Sequence, residues 1–463
     1  MKLALLLLLV VVQAKASELP REIGDALKKS GISQDHVGIY VRDVSKKNPA
    51  ISWRADNAMS PASTMKLVTS YAALSILGPA YTWKTEAYIP GKIVNGALDG
   101  PLILKGYGDP RFDIERIRLF VDDMRARGLK DIRGGLVLDR SYFSTKENPG
   151  NFDNRPYRPY NVTPDALLAN FEATSLKFVP NEKGIEVIAE PDFGSLSITN
   201  ALTPSQDPCG DWEDRISSRI ESDGKRARLH LSGEFPMACG EKEDSLALYD
   251  HSEYLYQLFS RLWMASGGKI DGAWREGPAP LDAKLFAVSE SPPLSSVVID
   301  MNKFSNNVMA RQMFLTIGAL NNPPGTEQSA DGAVKAWLRG RGLSFSELVI
   351  ENGSGLSRME RISARHLGEL LEDAYNSPIM PTFFASLPIA GIDGTMKKRL
   401  KNTPVEGRAW IKTGALEETR AIAGIIQTQS GKRFVVVCFV NDREAAKAKP
   451  AQDELLEWIE SSL

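Results

Sequence analysis

Cysteine and histidine are scarce in this sequence of 463 residues, which contains three cysteines and four histidines. The histidines are scattered, and no cysteine has a second cysteine or a histidine at ligand spacing, so the sequence predicts no metal site and no cofactor. Charge of one sign is not in excess either, since the sequence contains 56 Lys and Arg residues and 58 Asp and Glu residues. This balance gives no support for a nucleic-acid partner. Beyond the first sixteen residues, no apolar run is long enough to span a membrane.

The first sixteen residues have the pattern of a secretory signal peptide. Lys2 precedes ten apolar residues, Leu3–Val12, and the small-x-small sequence Ala14-Lys15-Ala16 follows. Ten apolar residues are too few to cross a bilayer, which disfavours the alternative of an uncleaved anchor. We therefore predict that residues 1–16 are removed before Ser17 and that the chain is exported. No transmembrane anchor is expected, whereas peripheral contact with a membrane stays open.

The three cysteines lie in two kinds of surroundings. Cys438 is part of the apolar run Phe434–Val440, which is typical of a buried core thiol. Cys209 and Cys239 lie in polar segments rich in glycine and proline, and they are 30 residues apart. In an exported protein this pattern predicts a structural disulfide between Cys209 and Cys239.

The hydrophobic pattern divides the chain into three stretches. Near the N-terminus, Val37–Val44 and Ala50–Trp53 predict a β-hairpin that leads into a helix. From about residue 80 to about residue 285, short strand patterns alternate with turns, and residues 184–240 look like a further strand-rich module. Helices and an antiparallel hairpin return after residue 294. The two ends of the chain are therefore expected to form one α+β domain that is interrupted by a long insert.

A serine and a lysine three residues apart open the apolar helix that follows the first hairpin. Positions i and i+3 share a face of a helix, so the Lys66 amine can reach the Ser63 hydroxyl. Burial lowers a lysine pKa, and a neutral amine can then act as a base toward the hydroxyl. The same spacing recurs at Ser222 and Lys225, in an Asp-Gly turn, and at residues 266–269, at the end of a helix. The Ser63 helix start therefore predicts a serine nucleophile, with an ordinary N-terminal cap as the alternative.

Two more motifs carry groups that a serine acyltransferase needs. Ser305-Asn306-Asn307 leads into a helix, where Ser305 can relay a proton to a leaving amine and Asn307 can hold a substrate amide. Lys412-Thr413-Gly414 ends a predicted strand. Each triplet alone is more often a helix cap or a turn, but their order after Ser63 matches a known set of acyl-serine motifs.

The third motif is expected to hold substrate against the edge of a sheet. Lys412 and Thr413 can bind a carboxylate, and the charge of Lys412 also lowers the Lys66 pKa. Gly414 leaves room for substrate backbone beside the strand. Backbone N–H groups of Ser63 and Ala415 are expected to stabilise the oxyanion.

Together these motifs resemble one family closely. The chain is similar to the class C, low-molecular-mass penicillin-binding proteins, the D-alanyl-D-alanine carboxypeptidase/endopeptidases of the penicillin-binding protein 4 type. The resemblance extends from about residue 20 to the C-terminus. The matching segments are Pro61–Leu67 with Ala72–Leu74, Gly106–Pro110, Ser291–Leu294, Lys303–Asn307, Gly353–Arg358 and Gly391–Met396.

The resemblance implies a penicilloyl-serine-transferase (β-lactamase-like) domain, an antiparallel sheet with flanking helices, and two strand-rich inserted domains, one nested in the other. The expected catalytic domain comprises residues 17–80 and 286–463. Residues 81–165 and 246–285 are expected to form the inserted domain, and residues 166–245 the nested one. The sequence separation of 242 between Ser63 and Ser305 leaves room for both inserts.

The resemblance also implies a periplasmic serine DD-peptidase that acts on peptidoglycan stem peptides and is inhibited by β-lactams. It would cleave D-Ala-D-Ala as a carboxypeptidase and D-Ala–diaminopimelate cross-links as an endopeptidase. Three departures bear on substrate preference: Asn352, where Asp is common; Arg311, where an acid is common; and Ala415, where a hydroxyl is common. A β-lactamase or esterase, and a scaffolding protein that binds cell-wall glycan, are the alternative functions.

Overall fold

A computed structural model describes residues 19–146 and 152–463. The predicted signal peptide and its cleavage site before Ser17 lie outside the described residues. The α-helices are α1 Arg21–Lys29, α2 Lys66–Ile76, α3 Ile114–Ala126, α4 His251–Ala265, α5 Leu294–Phe304, α6 Asn307–Ala319, α7 Glu327–Gly340, α8 Ala364–Tyr375, α9 Met380–Ala385 and α10 Lys449–Ser462.

The strands fall into three groups along the chain. The first group is β1 Val37–Asp43, β2 Ile51–Trp53 and β3 Ala58–Met59. The second is β4 Lys84–Ile89, β5 Ile93–Val94, β6 Ala97–Leu98, β7 Leu102–Gly106, β8 Asp131–Ile132, β9 Leu136–Asp139, β10 Ala173–Asn181, β11 Gly184–Glu190, β12 Leu196–Ser205, β13 Ile216–Ser222, β14 Ala227–Pro236, β15 Lys242–Ala247, β16 Lys269–Ile270, β17 Trp274–Glu276 and β18 Lys284–Glu290. The third is β19 Ile362–Ser363, β20 Ala409–Leu416, β21 Thr419–Gln427 and β22 Arg433–Asn441.

An antiparallel five-stranded sheet in the order β2-β1-β22-β21-β20 joins the two ends of the chain. The three inner strands β1, β22 and β21 are mostly apolar because both faces of the sheet are covered. Along β22, Val435 and Val437 enter the core beside α2, α6 and α8, whereas Val436 and Cys438 enter the core beside α1 and α10. The predicted hairpins, β1 with β2 and β21 with β22, are both confirmed. Strand β20 forms an edge of this sheet.

The inserted segment builds its own sheets. Five strands pair in the order β17-β9-β7-β4-β18, and four short ones in the order β16-β8-β6-β5. Two three-stranded sheets, β11-β10-β15 and β12-β14-β13, form the strand-rich module expected around residues 184–240. The division into domains stays a prediction, and β18, which pairs with β4, extends past residue 285.

The cysteines are arranged as the sequence predicted. Cys209 and Cys239 form a disulfide in the nested module, and the Cys438 thiol is buried in β22. Among the helices in residues 19–146 and 152–463, none is long and apolar enough to cross a membrane.

Candidate active site

Ser63 lies in a 3₁₀ turn, Ala62–Met65, that continues directly into α2. Neither Pro61, which precedes the turn, nor Met65, which precedes α2, makes a side-chain capping hydrogen bond. The backbone N–H of Ser60 donates to Asn441 Oδ1 at 2.7 Å. The turn starts at Ala62, whose φ of +44° is in the left-handed region. The continuous helical path places Ser63 and Lys66 on the same face, as the i, i+3 spacing predicted.

Lys66 has no exposed surface, and three oxygen atoms surround its amine. Lys66 Nζ lies 3.0 Å from Ser63 Oγ, 2.7 Å from Asn307 Oδ1 and 2.5 Å from the Ser354 backbone oxygen. The amide and backbone oxygens can only accept hydrogen bonds. A neutral Lys66 therefore gives its two N–H groups to those oxygens, which leaves its lone pair facing the Ser63 hydroxyl.

The surroundings favour this neutral form. Burial holds the Lys66 pKa well below its usual value, the Lys412 and Arg311 charges lower it further, and the Glu360 charge opposes them. The predicted effect of Lys412 on Lys66 is thus present, although burial is the larger cause.

Ser305 and Asn307 occupy the junction between α5 and α6. Ser305 ends α5 with a φ of +57°, and Asn306 caps α6 by accepting from the Met309 N–H at 2.9 Å. The chain therefore leaves the helical conformation between α5 and α6, and this break turns Ser305 and Asn307 toward the site.

Lys412 extends from edge strand β20 toward Ser305. Its amine donates to Ser305 Oγ at 2.8 Å and to the Thr413 backbone oxygen at 2.8 Å. Burial lowers the pKa of Lys412 to about 7. The Thr413 hydroxyl donates to Thr395 Oγ1 at 2.8 Å, and both threonines line the cleft. The motif lies within the strand rather than at its end, because β20 continues to Leu416.

Gly414 allows β20 to approach the Ser63 turn. A Cβ at this position would lie 2.8 Å from the Pro61 oxygen and 2.9 Å from the Ser63 nitrogen. The glycine thus has a reason in the protein itself, in addition to the room for substrate that the sequence suggested. Ala415 follows as an exposed residue on the same strand and lines the cleft beside Ser63.

A turn at residues 351–355, buried from Asn352 onward, completes the site, and its role was not found from the sequence. It supplies the Ser354 oxygen to Lys66, and the Gly353 oxygen accepts from Thr69 Oγ1 at 2.6 Å. Asn352 holds the turn, since its Oδ1 accepts from the Ser354 N–H and hydroxyl. The signal available in the sequence was the Gly353–Arg358 match, which gave no function.

Glu360 supports this turn from below. One carboxylate oxygen of this fully buried residue accepts from the backbone N–H groups of Glu351, Asn352 and Gly353 at 3.1, 3.0 and 2.9 Å. Burial raises the pKa of Glu360, while these N–H groups and the Lys66 charge oppose the rise.

We expect Glu360→Gln to move the pH profile of Ser63 acylation to lower pH. The variant keeps an oxygen for the three N–H groups but loses the charge that raises the Lys66 pKa. The acid limb of acylation rate against pH should shift down by about one pH unit. Glu351→Gln, which changes an exposed carboxylate on the same turn, is the control and should leave the limb in place. If the acid limb of Glu360→Gln coincides with that of the wild type, the Glu360 charge does not raise the Lys66 pKa.

The insert forms one wall of the cleft over Ser63, which has a volume of about 1270 Å³. Asp153, Asn154, Arg155 and Tyr160 line that wall. Asn307 Nδ2 donates to the Tyr160 backbone oxygen at 3.4 Å, which links the wall to the site.

Helix α6 holds the insert in place. The Gln312 side chain, which has no exposed surface, accepts from the Asp165 N–H at 2.9 Å and donates to the Asp165 oxygen at 2.8 Å. Arg311 donates to the Val162 oxygen at 3.0 Å. The departure at Arg311 therefore places a cation between the site and the insert.

No cluster of histidine, cysteine and acidic side chains able to hold a metal occurs among residues 19–146 and 152–463. The groups that converge on Ser63 are lysines, hydroxyls, amides and backbone atoms. This set suits nucleophilic attack by an activated hydroxyl.

Comparisons with known proteins identify the family. The D-Ala-D-Ala carboxypeptidase 3 (S13) family matches residues 19–462. The D-alanyl-D-alanine carboxypeptidase of Actinomadura sp. (strain R39) is 27% identical over 451 residues, which cover 90% of this chain and 80% of the relative. The D-alanyl-D-alanine carboxypeptidase DacB of Haemophilus influenzae is 26% identical over 426 residues, covering 88% and 85%.

Solved structures show the same fold. Penicillin binding protein 4 (dacB) from Haemophilus influenzae has a TM-score of 0.79 at 23% sequence identity, covering 94% of this chain and 98% of that chain. The Bd0816 predatory endopeptidase from Bdellovibrio bacteriovorus has a TM-score of 0.55 at 15% identity, covering 92% and 93%. The expected α+β penicillin-binding fold is confirmed. Because the family match covers almost every described residue, the chain belongs to the D-Ala-D-Ala carboxypeptidase 3 (S13) family and is a serine-type carboxypeptidase.

Proposed function

We propose that this carboxypeptidase removes the terminal D-Ala of peptidoglycan stem peptides through an acyl-enzyme on Ser63. The observation that carries the proposal is the arrangement around Lys66, whose amine lies 3.0 Å from Ser63 Oγ with two carbonyl oxygens on its other sides. This arrangement directs a lone pair at the hydroxyl that must lose its proton.

In the first half of the reaction, Lys66 takes the Ser63 proton while Ser63 Oγ bonds to the carbonyl carbon of the penultimate D-Ala. The backbone N–H groups of Ser63 and Ala415 stabilise the resulting oxyanion. The C–N bond then breaks, and the proton that Lys66 accepted passes through Ser305, which Lys412 contacts at 2.8 Å, to the leaving amine. Lys66 is neutral again at the end of this step. Water next attacks the ester carbonyl and gives a proton to Lys66. Lys66 returns this proton to Ser63 Oγ as the ester C–O bond breaks, which releases the shortened peptide and restores Ser63.

Substrate recognition is assigned to the side chains that β20 and the start of α6 present to the cleft. The Lys412 amine and the Thr413 hydroxyl bind the terminal carboxylate, and Thr395 positions that hydroxyl at 2.8 Å. Asn307 Nδ2 holds the substrate amide, since its Oδ1 is already occupied by Lys66. A lysine of lowered pKa binds the carboxylate by gaining a proton as the anion arrives.

The same site is proposed to cleave D-Ala–diaminopimelate cross-links and to be acylated by β-lactams. A cleft of about 1270 Å³ admits a leaving group larger than D-Ala. A β-lactam presents a strained amide beside a carboxylate, and its leaving amine stays tethered after the ring opens, which slows the attack of water. The periplasm, where these substrates occur, is the proposed location.

The test is digestion of purified muropeptides, with uncross-linked monomers and cross-linked dimers assayed side by side. We expect D-Ala release from pentapeptide monomers and conversion of dimers to monomers, both lost in Ser63→Ala. Intact-mass measurement should find one benzylpenicillin adduct on the wild type and none on Ser63→Ala.

Three results would count against parts of the proposal. An equal penicillin adduct on Ser63→Ala would exclude Ser63 as nucleophile. Cleavage of monomers alone would limit the enzyme to carboxypeptidase activity, and rapid turnover of a chromogenic β-lactam would indicate a β-lactamase.

A further inference from the structure

A second cavity, of about 410 Å³, opens between the two three-stranded sheets of the nested module. Strand β10 supplies its floor with Leu176 and Phe178, both buried. Strand β13 supplies one wall with Ile216, Ser218 and Ile220, which alternate along the strand and so share one face. The volume is within the range of small-molecule sites.

This cavity adjoins the catalytic cleft. Asn154 and Arg155 line both spaces, and residues 156–158 continue along the second one. A substrate that extends from Ser63 along the insert wall therefore passes from the cleft into the cavity. The continuity makes the occupant of the cavity a more distant part of the same substrate.

Trp212 provides a rigid aromatic surface at the cavity. Its ring is packed edge-on against Phe178 and Phe235, with centroids 5.4 and 5.7 Å away, and it remains partly exposed. Within the described part of the chain, its indole N–H has no hydrogen-bond acceptor. An aromatic face with an available donor suits a ligand that is apolar on one side and polar at its edge.

The charges at the rim are balanced. Arg158 Nη1 lies 2.9 Å from both carboxylate oxygens of Asp244, and Arg155 and Glu213 add one charge of each sign. This balance favours a neutral ligand over the carboxylate-bearing end of a stem peptide. In peptidoglycan, the neutral component with hydroxyl and acetamido edges is the N-acetylated amino sugar of the glycan strand.

We propose that the Trp212 cavity binds an N-acetylated amino sugar of the glycan strand whose stem peptide is processed at Ser63. The inference rests on the proposed function, because the glycan must belong to the substrate. The sugar ring stacks on Trp212 and its acetamido oxygen accepts from the indole N–H. The catalytic cleft thus extends into the nested module.

The test compares two substrates that differ in the sugar alone: a disaccharide-pentapeptide and the same peptide after the disaccharide has been removed. Trp212→Ala is expected to raise KM for the disaccharide-pentapeptide about tenfold and to leave its kcat unchanged. Both KM and kcat for the bare peptide should stay at their wild-type values. Ser218→Trp, which fills the cavity from an exposed position, should have the same selective effect. Ile188→Ala, at an exposed site of the module outside the cavity, is the control and should change nothing.

Benzylpenicillin acylation of each variant reports whether Ser63 and its surroundings are intact. If Trp212→Ala is not acylated, its active site is disturbed, and the KM values of Ser218→Trp for the two substrates test the sugar site instead. Equal effects on the two substrates, or no effect on either, would overturn the sugar site while the proposed function stands. A wild type that cleaves neither substrate and forms no adduct would instead overturn the proposed function, and the sugar site with it.

Discussion

In the Lys66→Met variant, acylation of Ser63 by benzylpenicillin is expected to slow by about 10²–10⁴-fold, the range attributed to a general base. Methionine fills much of the same buried space but has no lone pair of comparable basicity. The reason is the geometry around the amine, where Asn307 and Ser354 oxygens leave only Ser63 to meet the lone pair. The rate is measured by mass spectrometry of the intact protein in samples that are quenched at successive times.

The control uses a repeat of the same sequence spacing. Ser222 and Lys225 are also three residues apart, but Lys225 is exposed in a turn. In the Lys225→Met variant, benzylpenicillin should acylate Ser63 at the wild-type rate. Since methionine fills much of the buried space of Lys66, the melting temperature of Lys66→Met should not fall in proportion to the lost activity. A Lys66→Met enzyme that is acylated normally would show that another group activates Ser63.

Gly355→Ala is expected to lower stability by at least about 3 kcal/mol and to abolish acylation. Gly355 has a φ of +83°, and a Cβ there would lie 1.9 Å from the Ala62 oxygen and 2.7 Å from the Ser63 nitrogen. The Ala62 turn would have to move, and the backbone N–H of Ser63 would move with it. Thermal unfolding and the rate of penicillin adduct formation measure the two effects.

The substitution Gly342→Ala is the control that distinguishes the effect of a steric clash from the effect of backbone strain. Its φ of +77° is nearly the same, but no atom lies within 4 Å of the position where its Cβ would be. Gly342→Ala should therefore cost about 1 kcal/mol, the strain of a left-handed alanine alone, and keep full acylation. Equal effects of the two substitutions would contradict the close packing of residues 353–355 on the Ser63 turn.

The parts of this site that the sequence could predict are those set by local geometry. The contact between Ser63 and Lys66 follows from helical spacing, and the pairing of β21 with β22 follows from two apolar runs and a short turn. The disulfide between Cys209 and Cys239 followed from their surroundings and the expected export. These inferences need no knowledge of how distant segments meet.

The remaining contacts depend on tertiary structure. Lys412 reaches Ser305 across 107 residues, and the Ser354 oxygen reaches Lys66 across 288. The Ser354 contact is made by a backbone atom, whose position depends on the turn and not on the side chain. Glu360 was missed for a related reason, since a carboxylate in a polar segment gives no sign that it will be buried beneath backbone N–H groups.

The central claim is that Lys66 is a neutral base at physiological pH, and the pH dependence of Ser63 acylation in the wild type tests it most directly. With the Lys66 pKa held well below its usual 10.5 by burial, acylation should stay near its maximum at neutral pH. Its acid limb should appear only below that range, and Lys66→Met should lack the limb. A wild-type rate that instead rises about tenfold per pH unit from neutrality to about pH 10 would show that Lys66 is an ordinary charged lysine, and would contradict this mechanism.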